Sequence, residues 1–186
     1  MEIIEQLKQH LQASAPQSPF NNAAFKPATT HEVEYAENLL NFTLPEIVRE
    51  LYLRVSNGGF GPGEGVFSIE FAANEYVDFR SDREHNQPEW PLQLVPICDW
   101  GCNIYTCLDC SYSNVPVIRV DYNLDMPWMI QTYMLHPDFQ FFQPYSNDAV
   151  VAWVEAISLE KWLSSWLVGV DIFHAAYPQR KPKLEW

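Results

Sequence analysis

The most constraining stretch of this chain is a helix signal that stops on a run of glycines. Thr43 and Glu46 stand three apart in a capping-box pattern, and Pro45 falls in the first turn, where its missing N–H costs nothing. Leu44, Ile47, Val48, Leu51, Tyr52 and Val55 then recur at spacings of three and four, the apolar face of a helix. Asn57-Gly58-Gly59 ends it, because glycine accepts the left-handed conformation of a C-terminal cap. Five of the seven glycines lie between Gly58 and Gly65, so a compact turn region must follow.

Helices are also predicted at both ends of the chain. Ile3, Ile4, Leu7 and Leu11 have helical spacing over residues 2–12, and Ala13 to Ala28 reads as a connector. Thr29 and Glu32 form another capping box, opening a helix with Val33, Ala36, Leu39 and Leu40 on one face. Ser158 caps a last helix whose stripe, Leu159, Trp162, Leu163, Trp166, Leu167, Val170 and Phe173, is read as running until Pro178 and facing a sheet. Between these ends the chain is β-rich. Val66–Ile69, Leu92–Ile97, Asn103–Leu108, Val115–Val120 and Trp128–Leu135 each read as a short strand bounded by turn residues, the pattern of an antiparallel meander. Glu75–Glu89 is polar and reads as an exposed helix or loop. The expectation is a single α+β domain over 1–186, an antiparallel sheet packed against N-terminal and C-terminal helices, with residues 1–28 as helix and connector and 178–186 as a tail.

Charge narrows the partners. The formal net charge is −13, and the segment from Val55 to Glu160 holds 15 acidic residues against Arg80, Arg83 and Arg119. This disfavours nucleic acid and anionic membranes and favours a basic partner, or simply a well-solvated surface. The start, Met1-Glu2-Ile3-Ile4-Glu5, is not that of a signal peptide, and no apolar stretch approaches a membrane span, so the expected location is cytoplasmic with reduced thiols.

The order of elements resembles the SUKH superfamily, which includes a fungal cell-wall-synthesis regulator and many bacterial immunity proteins. The residues that carry the resemblance are Leu44-Pro45-Glu46, Leu51-Tyr52 and Ser56-Asn57-Gly58-Gly59-Phe60-Gly61-Pro62-Gly63. With them come Asp99-Trp100-Gly101-Cys102, Val115-Pro116-Val117 and Ile157-Ser158-Leu159-Glu160-Lys161-Trp162-Leu163, a span from about Thr29 to Phe173. The resemblance implies an α+β fold and, most often, immunity: binding and blocking a protein toxin, often a nuclease. It implies no common catalytic residues, and it does not say which toxin is bound.

The residues agree with such a role. Glu64, Glu70, Glu75, Asp78, Asp82, Glu84 and Glu89 are interleaved with Phe71, Tyr76, Phe79 and Trp90. Acids can imitate nucleic acid toward a basic nuclease site, and aromatic anchors inside a charged rim suit a tight interface. The candidate partner-binding set is therefore Glu64, Glu70, Glu75, Asp78, Asp82, Glu84, Glu89 and Trp90. The alternative is that the aromatics are core and the acids merely solvating.

Other motifs favour plain structural readings. The glycine run follows a helix, precedes an expected strand and lacks the Gly-Lys-Ser/Thr of a phosphate loop. Cys98, Cys102, Cys107 and Cys110 have spacings that fit zinc knuckles poorly, and a strand from Asn103 would point Cys102 and Cys107 to opposite faces. Buried packing is the simpler role for them. His10, His31, His85, His136 and His174 are scattered, and Asp82, Glu84 and His85 could form an acid–base group only with a pocket around them. The reading that follows is a binding protein with no catalytic residues, metal or cofactor. It would be an immunity-type protein neutralising a cognate toxin, with a regulatory or scaffold module as the alternative and a zinc-stabilised domain or enzyme behind both.

Overall fold

The structure is a computed structural model that describes residues 2–13, 25–81, 90–121 and 151–176. Among these, α1 spans Glu2–Ala13, α2 Thr30–Leu40, α3 Glu46–Arg54 and α4 Ile69–Ser81. Strands β1 (Leu94–Asp99), β2 (Ile104–Asp109), β3 (Val117–Asp121) and β4 (Val151–Ala156) follow, and then α5 (Leu159–Leu167) and α6 (Ile172–Ala176). The four strands pair antiparallel in the order β1-β2-β3-β4, which makes the fold α+β.

The helices form where their ends are satisfied and one face can be buried. Thr29 Oγ1 accepts from the Glu32 amide at 3.2 Å, and Glu32 Oε2 accepts from the Thr29 amide at 2.7 Å, closing the capping box of α2. Glu37 then ties α2 to α3: Oε1 accepts from the Leu44 amide at 2.8 Å and Oε2 pairs with Arg49. The α3 box is absent, because Pro45 rather than Thr43 is the N-cap and makes no side-chain cap bond. Arg54 joins α3 to α1 by pairing with Glu5 at 2.6 Å. The faces read from periodicity are the buried ones: Ile3, Ile4, Leu7 and Leu11 of α1, Val33, Ala36 and Leu40 of α2, and Val48, Leu51 and Tyr52 of α3. Each large apolar side chain fully buried in this way stabilises the fold by about 1.5–3 kcal/mol before entropy is counted. α1 packs on α3 and α5, α2 on α3 and α4, α4 along β1, and α5 against β4.

The glycine run is a tight loop closed on itself. The Gly59 amide donates to the Val66 carbonyl at 2.8 Å, and the Val66 amide donates to the Phe60 carbonyl at 2.6 Å. Gly58 is the position that admits nothing else: its φ is +83°, and a Cβ there would lie 2.6 Å from the Phe67 carbonyl carbon and from the Val66 oxygen. Asn57 links this loop to its surroundings. Its Oδ1 accepts from the Ile69 amide at 2.8 Å, and its Nδ2 donates to Glu32 at 3.4 Å.

Three further expectations need correction. Val66–Ile69 is not a strand; Ser68 Oγ accepts from the Phe71 amide at 3.2 Å, and Ile69 opens α4. Phe67 still donates to the Ile97 carbonyl at 2.7 Å, so the segment leans on β1 without joining the sheet. The polar stretch from Glu75 is, as far as Ser81, the second half of α4 and has Tyr76 alone buried, in keeping with the expected exposed helix. The last helix stops at Leu167, where Gly169, with φ +78°, turns the chain before α6. Finally, Val151–Ala156 is a strand that the expected meander did not include. The expected strand at Trp128–Leu135 lies outside the described residues.

Beneath the sheet sits a buried polar group that unites it with α5. A bulge at Val117/Ile118 leaves Glu155 as the extra residue of β4, and bulges re-aim side chains. The Glu155 carboxylate accepts from Arg119 Nε at 2.9 Å and Nη2 at 3.0 Å, from Thr106 Oγ1 at 2.9 Å and from Trp162 Nε1 at 2.8 Å. Thr106 in turn accepts from Trp100 Nε1 at 2.8 Å, and the Arg119 guanidinium lies 4.5 Å from the Trp100 ring centroid.

Candidate protein-binding surface

Helix α4 presents two different flanks. At roughly 100° per residue, Glu75 and Phe79 point to one side and Val77 and Ser81 to the other, with Asp78 on the ridge between them. The first flank faces β1 and β2, since Phe79 stacks edge-on against Tyr105 at 5.1 Å. The second faces α2.

The β-side flank is acidic. Glu75 is half-buried, and burial, with Asp78 and Asp99 nearby, pushes its carboxyl above the ordinary range. Burial also raises the Tyr105 phenol, and the Asp99 and Glu75 charges add to this. Two carboxylates from α4 and one from the end of β1 thus crowd negative charge onto one area, beside the neutral Tyr105 phenol. Asp99 is held there by its own turn, where Oδ1 accepts from the Gly101 amide at 2.7 Å. Phe71, 48% exposed, stands beside this flank and packs edge-on against Phe67 at 4.8 Å.

The predicted set divides accordingly. Glu75 and Asp78 are brought together, and Asp99 joins them although sequence reasoning passed over it. Its signal was position alone, as the last residue of an apolar strand. Glu64 is exposed in the glycine loop, whose Gly63 approaches the Trp100 ring and the Cys98 sulfur, so it lies toward the same end of β1. Glu70 is exposed at the start of α4 but points toward the other flank. Asp82, Glu84 and Glu89 lie outside the described residues. Trp90 belongs to the core: it is 7% exposed, its Nε1 donates to the Leu94 carbonyl at 2.7 Å, and its ring packs on Phe79 at 4.6 Å. An indole whose N–H finds a buried carbonyl is more stable inside than on a rim.

Cys98, Cys107 and Cys110 are buried and Cys102 is exposed. Burial pushes the Cys98 thiol up to about 12, with Glu155 adding to the effect, and raises Cys107 and Cys110 as well. Such thiols are not thiolates at neutral pH and behave as small apolar side chains. Among the described residues no group of three or more His, Cys, Asp and Glu could hold a metal ion. The glycine loop precedes a helix, not the expected strand. Its Gly59, Gly65 and Val66 amides nonetheless donate to carbonyls within the loop, at 2.6–3.0 Å. His10 packs edge-on against Trp166 at 5.2 Å, and exposed His174 pairs with Asp171 at 2.8 Å. No helix among the described residues is long and apolar enough to cross a membrane.

Residues 27–135 match the SMI1/KNR4 family (SUKH-1). The chain belongs to this family. No curated protein matches it. The SUKH-1 segment takes in α2, α3, the glycine loop, α4 and β1 to β3, so both flanks of α4 lie within it. It ends short of β4, α5 and α6, which the resemblance had included. Family membership supports an immunity-type or SMI1/KNR4-like domain and is in keeping with a role other than catalysis.

Proposed function

We propose that this SUKH-1 protein is an immunity protein, which binds a cognate bacterial toxin and occludes its active site without chemistry of its own. The observation that carries the reading is the acidic flank built from Glu75, Asp78 and Asp99, with exposed Phe71 beside it. A nuclease is basic around its phosphate site, so the toxin class that best complements this surface is a nuclease. The field of the flank would steer such a partner and raise its association rate by about 10- to 1,000-fold at low salt. The set of contact acids includes Glu64 at its margin, and Asp82, Glu84 and Glu89 follow α4 in sequence. The protein acts in the cytoplasm, where such a toxin would reach nucleic acid.

The test is growth rescue. Where a toxic C-terminal domain is encoded immediately upstream of its own gene, the chain is co-expressed with it; the lack of any such gene counts against the reading. Survival, with a stable complex on co-purification, supports immunity. Death with the protein folded and abundant overturns it and moves the reading to a regulatory or scaffold module of the SMI1/KNR4 type.

A further inference from the structure

The flank of α4 that faces α2 has a different chemistry. It forms one wall of a groove of about 350 Å³, lined by Leu39 and Leu40 of α2, Tyr76, Val77 and Arg80 of α4, and Leu92. Arg80, whose guanidinium donates to the Trp90 carbonyl, Asn41 and Ser81 are the polar members of a lining that is otherwise mostly apolar. Leu92 is 71% exposed and Val77 36%, so two large apolar side chains meet water side by side. At Asn41, which ends α2 in the left-handed conformation, the groove runs into a second depression of about 480 Å³ with a polar lining that includes Glu34 and Glu37. Glu37 is committed to Arg49 and the Leu44 amide, while Glu34 is exposed. Asp78 stands on the ridge on the opposite side of Val77.

From this arrangement we infer that the groove is a docking site for an amphipathic helix of a partner protein, one that presents a leucine-like anchor flanked by lysine or arginine. The apolar groove takes the anchor. Glu34, in the adjoining depression, and Asp78, on the ridge beyond Val77, place carboxylates on either side of the anchor site and favour cations on the neighbouring turns of the partner, since an apolar helix with acidic flanks would meet like charge there. The partner then straddles α4, with its anchor on the α2 side and its basic surface over Glu75 and Asp99. The inference deepens the proposed binding role and rests on it only for the partner's identity, because the groove can be probed without any toxin.

The experiment is a methyl NMR titration of the full chain with a short synthetic amphipathic helix of leucine and lysine. A control peptide has the same leucines with glutamate in place of lysine. The expected result is that the lysine peptide shifts the methyls of Leu39, Leu40, Val77 and Leu92 and the glutamate peptide leaves them unmoved. Joint truncation by Leu92→Ala and Val77→Ala should weaken the lysine peptide by at least about tenfold, the scale of a hot-spot pair. Both positions are exposed, so unchanged thermal melting and unchanged core methyls would show that the doubly substituted chain is folded. Shifts gathered elsewhere, equal response to both peptides, or an unaltered affinity after truncation would each overturn the groove. None of these outcomes depends on growth rescue, so the groove and the immunity reading fail separately.

Discussion

Replacing Glu155 by alanine is a severe perturbation of the interior. The Arg119 and Glu155 side chains are 0% and 2% exposed, and the carboxylate accepts four hydrogen bonds. Removing one partner of a buried pair leaves an uncompensated charge, which costs about 3–5 kcal/mol. The Trp162 N–H and the Thr106 hydroxyl lose their acceptor as well, at about 1 kcal/mol or more each if taken singly. These losses overlap, so the expected destabilisation of Glu155→Ala is about 5 kcal/mol, against a total of about 5–15 kcal/mol for a domain. For a chain of this size that lowers the melting temperature by about 10–20 °C. Urea unfolding followed by tryptophan fluorescence measures it, with Trp100 and Trp162 as reporters inside the network. Removing both partners, Arg119→Met with Glu155→Leu, should restore most of the loss, because an apolar pair strands no charge. A Glu155→Ala chain within about 1 kcal/mol of the native protein would show that the buried pair does not hold the sheet to α5, and so would a double replacement as damaging as the single one.

Three further outcomes follow from the same geometry. Gly58→Ala places a Cβ 2.6 Å from backbone atoms at a φ of +83°, so it should cost at least about 2 kcal/mol in thermal or urea unfolding. In a native-state alkylation read by mass spectrometry at neutral pH, Cys102 should react first, and Cys98, Cys107 and Cys110 should react only once the chain unfolds. The carboxyl of Glu75 is held above its ordinary range, so the folded state binds its proton more readily than the unfolded state. The stability that this contributes is present at low pH and is lost as pH rises through the folded pKa. Glu75→Gln should therefore be more stable than the native chain at neutral pH, and the gain should vanish once the carboxyl is protonated in both states, as melting curves across acid pH would show.

Much of the helical architecture was legible because it is local. The Thr29–Glu32 capping box, the buried stripes of α1 to α3 and the Ser158 cap of α5 are all decided within a few residues. The errors arise where tertiary context decides. Val66-Phe67-Ser68-Ile69 is a short apolar run that periodicity assigns equally well to a strand or to a helix entrance, and the bond from the Ile69 amide to Asn57 selects the helix. Val151–Ala156 is nearly continuous in apolar residues and becomes a strand by pairing with β3. The stripe of α5 continues in spacing to Phe173, yet Gly169 ends the helix. On the candidate surface, Glu75 and Asp78 could be read as neighbours from helical spacing. Asp99 joins them only because α4 lies along β1, a long-range packing that spacing does not encode. Trp90 was assigned to the interface by composition, whereas the Leu94 carbonyl and the Phe79 ring draw it into the core.

In the proposed function, the acidic flank of α4 guides a basic toxin onto this protein. Its most direct test is the association rate with the toxic domain encoded upstream, measured by stopped flow across ionic strength for the native chain and for Glu75→Lys with Asp78→Lys. Steering by this flank should give a rate that falls steeply for the native chain as salt approaches physiological strength, where the screening length is about 8 Å. The charge-reversed chain should associate more slowly, at a nearly salt-independent rate. Equal rates with equal salt dependence in the two proteins would contradict steering by this flank.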